Sequence, residues 1–131
     1  MVDPIDGPPS PPADLGPAGS QAWDEWWSSA TWLAASDVPI VRLLCRMLDR
    51  AADLDARIAV DGLTVPGSQG QPVAHPLLGV AAGVRSLILG LANDCAFTPA
   101  GRRRLGIEVK AQPTVTALER MVAGRNGGST R

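Results

Sequence analysis

The sequence predicts a mainly α-helical chain: a central antiparallel helical hairpin with short flanking helices, its two long helices joined by a small β-hairpin or ordered loop. Three observations carry this. From Ile40 through Leu44, Met47, Ala51 and Leu54 to Ile58, apolar residues recur at alternating intervals of four and three, which is the repeat of one helix face. A second apolar stretch, Pro76 to Ala92, opens on a proline and is too long for a strand. Between the two lies "GLTVPGSQGQPVAHP", made of residues that end helices and build turns. A chain of 131 residues is one domain, able to bury about two-thirds of its unfolded surface.

Residues 1–19 hold six of the twelve prolines, and their charged residues are all acidic. Such a segment lacks the apolar surface to offset the entropy of ordering, so it is expected to be a disordered acidic and Pro-rich N-terminal segment. It has no basic start followed by an apolar run, hence no signal peptide is read in it. Residues 20–106 form the expected helical core and oligomerisation domain. In "SQAWDEWWSSATW", Trp23, Trp26 and Trp27 share one face of a short helix capped by Ser20 or Gly19. Those three and Trp32 either pack as core or meet another subunit, since tryptophan is enriched at interface hot spots.

"SDVP" opens the first long helix, with Asp37 as N-cap and Pro39 in the first turn. Its opposite face carries Arg42, Arg46, Asp49, Arg50, Asp53 and Arg57 and reads as solvated, with Asp53 and Arg57 spaced to pair. Gly62 breaks it. Leu63–Val65 and Gln71–Val73 are expected to be short extended pieces. In the second long helix Leu77, Val80, Ala81, Val84, Leu87, Ile88 and Leu91 cover most of the circumference, while Gly79, Gly83 and Gly90 allow a neighbouring backbone to come close. Arg85 in its middle and its length argue against a membrane span. So much apolar surface predicts a homo-oligomer, with Trp23, Trp26, Trp27, Trp32, Leu44 and Met47 as interface candidates.

"FTPAGRRRLG" reads as a miniature helix: Thr98 as N-cap, Pro99 at the first helical position, Gly106 at the left-handed exit. Its three arginines fan over about 200° of circumference, so at least two point outward. Charge is divided along the chain. The first 37 residues carry six acidic and no basic groups, whereas the rest carry twelve basic and seven acidic ones. Polyanion contact therefore falls on Arg102, Arg103, Arg104 and Lys110, with Arg42 and Arg46 second. Residues 107–131 are expected to be a basic C-terminal segment with a short helix begun by Thr114 or Thr116 and a frayed tail.

Catalytic patterns are missing. There is no Gly-rich phosphate loop, no Ser-His-Asp set and no HExxH. Asp49, Asp53 and Asp55 lie among arginines and read as surface pairs. Cys45 and Cys95 sit in apolar helical contexts and read as reduced packing residues, and His75 stands alone, so no metal and no cofactor is expected. The residues describe a binding protein, not an enzyme.

The order of features resembles the small subunit of phage terminase, of the HK97-like siphophage type. The resembling residues are "LGPAGSQAWDEWW", "VRLLCRMLDRAADL", "DGLTVPGSQGQPVAHP" and "FTPAGRRRLG", the last similar to a closing Thr-Pro-Ala-x-Arg motif, over about residues 13–106. Asp94-Cys95-Ala96 and the acidic N-terminal side depart from the pattern. The resemblance implies a non-catalytic protein that assembles into a ring, recognises the packaging site on double-stranded phage DNA, and presents it to the large terminase subunit, which carries the ATPase and nuclease. It implies the host cytoplasm and no membrane. Many small terminases bind DNA through an N-terminal helix-turn-helix, but here 37 N-terminal residues without a base repel phosphate. The competing class is a helical protein-protein adaptor with no direct DNA binding.

Overall fold

The computed structural model describes residues 8–109 and Val122. Helix α1 spans Pro17–Ser29, a single 3₁₀ turn Ala35–Asp37 leads into α2, Val38–Asp61, strands β1 Thr64–Pro66 and β2 Pro72–Ala74 follow, then α3 Leu77–Asp94 and α4 Pro99–Leu105. The fold is mainly helical with one two-stranded antiparallel sheet.

Helix α2 is central because it carries two apolar stripes. The expected seam is joined by Val41 and Cys45, both fully buried and both part of the cluster built by Trp23, Trp27, Ala30 and Leu33. One stripe takes α1 and the other takes α3, which runs back antiparallel. His75 bonds to Asp61 at one end of this hairpin, and Asp37, Ile40, Asp94 and Cys95 line one hollow at the other. Asp37 does hold the N-cap position, but its carboxylate accepts the Ala34 N–H at 2.9 Å and none from α2.

Helix α1 starts at Pro17, earlier than the Ser20 or Gly19 cap expected. Its cap comes from another element. The Gly16 and Gly19 N–H groups donate to the two oxygens of Asp49, each at 2.7 Å, so the orphan donors and the positive end of α1 meet a carboxylate. Asp49 thus leaves the solvated face assigned to it. The close approach requires glycine: a Cβ on Gly19 would lie 2.4 Å from Asp49 Oδ2 and 2.6 Å from the Cys45 carbonyl oxygen.

Residues 8–19 are held in place from Pro9, whose carbonyl accepts the Trp23 indole N–H at 2.8 Å, to Leu15, which packs on the core. The segment needs little apolar content of its own because it satisfies a buried indole; residues 1–7 lie outside the described set. The tryptophans, read as core or as interface, make these contacts within the chain. Trp23 is 1% exposed, Trp27 and Leu44 are buried, Trp26 stacks on Phe97 with centroids 4.3 Å apart, and the Trp32 indole donates to the Cys95 carbonyl at 2.8 Å. Met47 is half-buried. The short connection from α1 to α2 folds these rings onto the second stripe of α2, which the seam alone did not reveal.

Strands β1 and β2 fall one residue later than expected, paired Thr64 with Ala74, Val65 with Val73 and Pro66 with Pro72. The α2 terminus is at Gly62, with φ 87°. His75 locks the hairpin base. Its Nδ1 accepts the Leu77 N–H at 3.0 Å, so the proton is on Nε2, which donates to Asp61 at 2.9 Å. Arg57 also turns to Asp61, at 2.9 Å, in place of the expected partner Asp53.

Helix α3 buries Ala81, Val84 and Ala92, half-buries Leu77, Leu78, Ile88, Leu91 and Asn93, and turns the rest outward. Only 17% of its most apolar window is buried, although the stretch is long and apolar enough to cross a membrane by length and composition. Gly79, Gly83, Ser86 and Gly90 lie along the outer face, flanked by the exposed Val80, Leu87 and Leu89. The expected close backbone neighbour is absent among the described residues: a Cβ on any of those glycines would meet nothing within 4 Å.

Candidate nucleic-acid interface

The arginine turn is built as its caps dictate. Helix α3 ends with the Phe97 N–H on the Ala92 carbonyl at 2.8 Å and the Ala96 N–H on the Asn93 carbonyl at 3.0 Å, the pairing of a Schellman motif, with Ala96 at φ 59° where glycine is usual. Thr98 Oγ1 then accepts the Gly101 N–H at 3.0 Å, Pro99 occupies the first turn, and Gly106 closes α4 at φ 68°. Gly101 lets α4 lie on α3, since a Cβ there would be 2.5 Å from the Asn93 carbonyl oxygen.

The three arginines take different roles. Arg102 is half-buried and donates to the Ala96 carbonyl at 3.4 Å; Arg104 is exposed yet reaches the Asn93 carbonyl at 3.4 Å and Asp94 at 3.6 Å. Both guanidinium groups thus complement the negative end of α3. Arg103 is exposed and has no ion pair or side-chain hydrogen bond among the described residues. Lys110 lies outside the described set.

The second basic group stands on α2. Arg42, Arg46 and Arg50 succeed one another at four-residue intervals, all exposed, and so form one ridge. Arg50 was not singled out from sequence, although its spacing from Arg42 and Arg46 was visible there. Arg46 and Arg50 border an open groove of about 500 Å³ together with Asp49, Asp53, Leu54 and Val80. Arg46 pairs with Asp14, and that hydrogen bond holds the Asp14 carboxyl below the usual carboxylate range. No hydrogen bond or ion pair among the described residues joins the α2 ridge to the arginine turn.

Elsewhere the chemistry is inert. Cys45 and Cys95 are free and buried, and burial pushes the Cys45 thiol up to about 12, so no thiolate forms near neutrality. Among the described residues no three His, Cys, Asp or Glu side chains gather where they could hold a metal.

The sequence model for "Phage terminase, small subunit" matches residues 20–112, from the body of α1 past the end of α4. The chain belongs to the phage terminase small subunit family. Neither the curated proteins nor the solved structures contain a match. The match carries the family and its role in phage packaging, not the HK97-like subdivision. Every element bearing the small subunit's two basic groups lies within the matched span.

Proposed function

We propose that this small subunit is the non-catalytic DNA-recognising part of a phage packaging apparatus. It binds the packaging site on double-stranded phage DNA and delivers it to the large terminase subunit, acting in the host cytoplasm as a homo-oligomeric ring. Family membership over the whole helical core carries the reading. Exposed arginines on capped, rigid elements support the DNA contact: Arg103 on α4, Arg42 and Arg50 on α2. Such groups neutralise phosphates without reading sequence, and position the protein on the duplex.

Self-association is supported by the outer face of α3. With the tryptophans taken up internally, Val80, Leu87 and Leu89 are left at 50%, 61% and 58% exposure beside a line of glycines and a serine. Apolar surface of this kind is stabilised by burial against a partner, and the small residues admit a second backbone. A closed ring satisfies every copy alike.

Titration with duplex DNA at two salt concentrations tests the reading. Log affinity falls with log salt at about -0.9 per phosphate neutralised. Arg103→Ala flattens that slope by about 0.9 and weakens all duplex sequences alike. Arg102 and Arg104 are poor probes, because their loss also unties α4 from α3. A small subunit that keeps its oligomeric mass yet binds no duplex at low salt is a protein-protein adaptor instead.

A further inference from the structure

The first 37 residues carry six acidic and no basic groups, and the acid among residues 8–16, Asp14, is not loose. It sits on Arg46, the middle of the three-arginine ridge of α2, a ridge about 12 Å long at 1.5 Å rise per residue. The geometry points to an autoinhibitory latch: the 8–16 strap holds Asp14 over Arg46 in the place of a phosphate, and the ridge opens to a polyanion when Asp14 is displaced.

What separates this pair from an ordinary surface ion pair is how Asp14 is held. On one side the Pro9 carbonyl takes the Trp23 indole N–H at 2.8 Å; on the other Leu15 packs on the core and the Gly16 N–H bonds to Asp49. The carboxylate is thus presented by contacts that owe nothing to Arg46, and little further entropy is lost in forming the pair. Asp49, on the same helix as the ridge, is no substitute: its two oxygens are taken by the Gly16 and Gly19 N–H groups. Arg42 and Arg50 have no ion pair among the described residues, so Asp14 is the carboxylate seated on the ridge. Displacing it frees the Arg46 guanidinium between two others that are already exposed on the same helix face.

The latch rests on the DNA reading above, and its test separates the two. Asp14→Asn keeps the shape of the strap and removes the charge. At about 50 mM salt it tightens duplex DNA binding by about two- to fivefold, the range expected for releasing one exposed ion pair, and steepens the salt slope by about 0.9. In an Arg46→Ala background the same change has no effect. Equal affinity of Asp14→Asn and wild type overturns the latch, and so does an equal gain with Arg46 absent, which is a plain charge effect. A heparin column supplies a second polyanion. If no variant binds duplex DNA, but Asp14→Asn elutes from heparin at higher salt than wild type only when Arg46 is present, the latch stands and the DNA reading falls. If the elution is unchanged as well, both fall.

Discussion

The two ends of this small subunit solve the burial problem differently. At one end α1, the first half of α2, the last turns of α3 and α4 close around four tryptophans, and Trp23 and Val41 reach 1% and 0% exposure. At the other end the second half of α2 and α3 as far as Leu87 form a two-helix finger tipped by the β1–β2 hairpin. There Val60, Leu63 and Leu87 stand 84%, 67% and 61% exposed. The first end closes its apolar core within one chain, with the buried Trp27 indole N–H left without a hydrogen-bond partner among the described residues. The second leaves an apolar helix face that one chain does not cover, and in water such a face favours association. Of the two readings that the tryptophans allow, the contacts within one chain fit core packing, with Trp26 and Trp32 half-buried at its edge, while the modest glycines and leucines of α3 are the open surface.

The largest way to break this contrast is at the closed end. Trp23→Ala removes a fully buried ring and its bond to Pro9, and is expected to cost about 3–5 kcal/mol, a large share of the stability of a domain this size. Urea unfolding followed by circular dichroism reads this directly; a loss under about 1 kcal/mol means that the tryptophan end is not the core. Gly19→Ala comes next. Its methyl meets Asp49 and the Cys45 carbonyl well inside contact distance, and forcing α1 off α2 is expected to cost about 1–3 kcal/mol in the same assay. The same substitution at Gly83, where nothing lies within 4 Å, is expected to leave stability level or slightly raised through helix propensity.

Acid probes the finger. Hydrogen bonds from His75 first, then from Arg57, hold Asp61 below the usual carboxylate range. A lowered folded-state value contributes stability above the unfolded value of about 3.9, and that contribution is lost as pH falls through the lowered value. Melting temperature is thus expected to drop below about pH 4, with a shallower drop in Asp61→Asn, whose side chain does not titrate. Identical pH profiles for the two proteins would mean that the hairpin base is not held by this carboxylate.

How far the sequence reached follows the range of the interaction. Thr98, Pro99 and Gly106 were legible as cap, first turn and exit because the bonds they make span a few residues. Gly62 and Asp37 marked the ends of α2 for the same reason, and the antiparallel hairpin followed from two apolar helices and a short connector. The start of α1 was not legible, because its cap is Asp49, some thirty residues away along the chain. Nor was the ordering of residues 8–16, which depends on an indole N–H needing an acceptor. The arginines were half legible. Their outward fan follows from helix geometry, but the division between Arg103, left open, and Arg102 and Arg104, turned onto the end of α3, depends on carbonyls that only the fold brings near. The short helix expected within residues 107–131 falls almost wholly outside the described residues.

The smallest expected effect on folding is on the uncovered face of α3. Leu87 lies on the uncovered face of α3, 61% exposed, and Leu87→Glu is expected to change monomer stability by no more than about 0.5 kcal/mol. Placed in a subunit contact, the same carboxylate must be desolvated without a partner, which is costly. Light scattering at tens of micromolar should then find a multimer for the wild type and a folded monomer, with an unchanged circular dichroism spectrum, for Leu87→Glu. A monomeric wild type, or a variant of unchanged multimeric mass, would contradict the claim that the finger, and not the tryptophan end, is where copies of this chain meet.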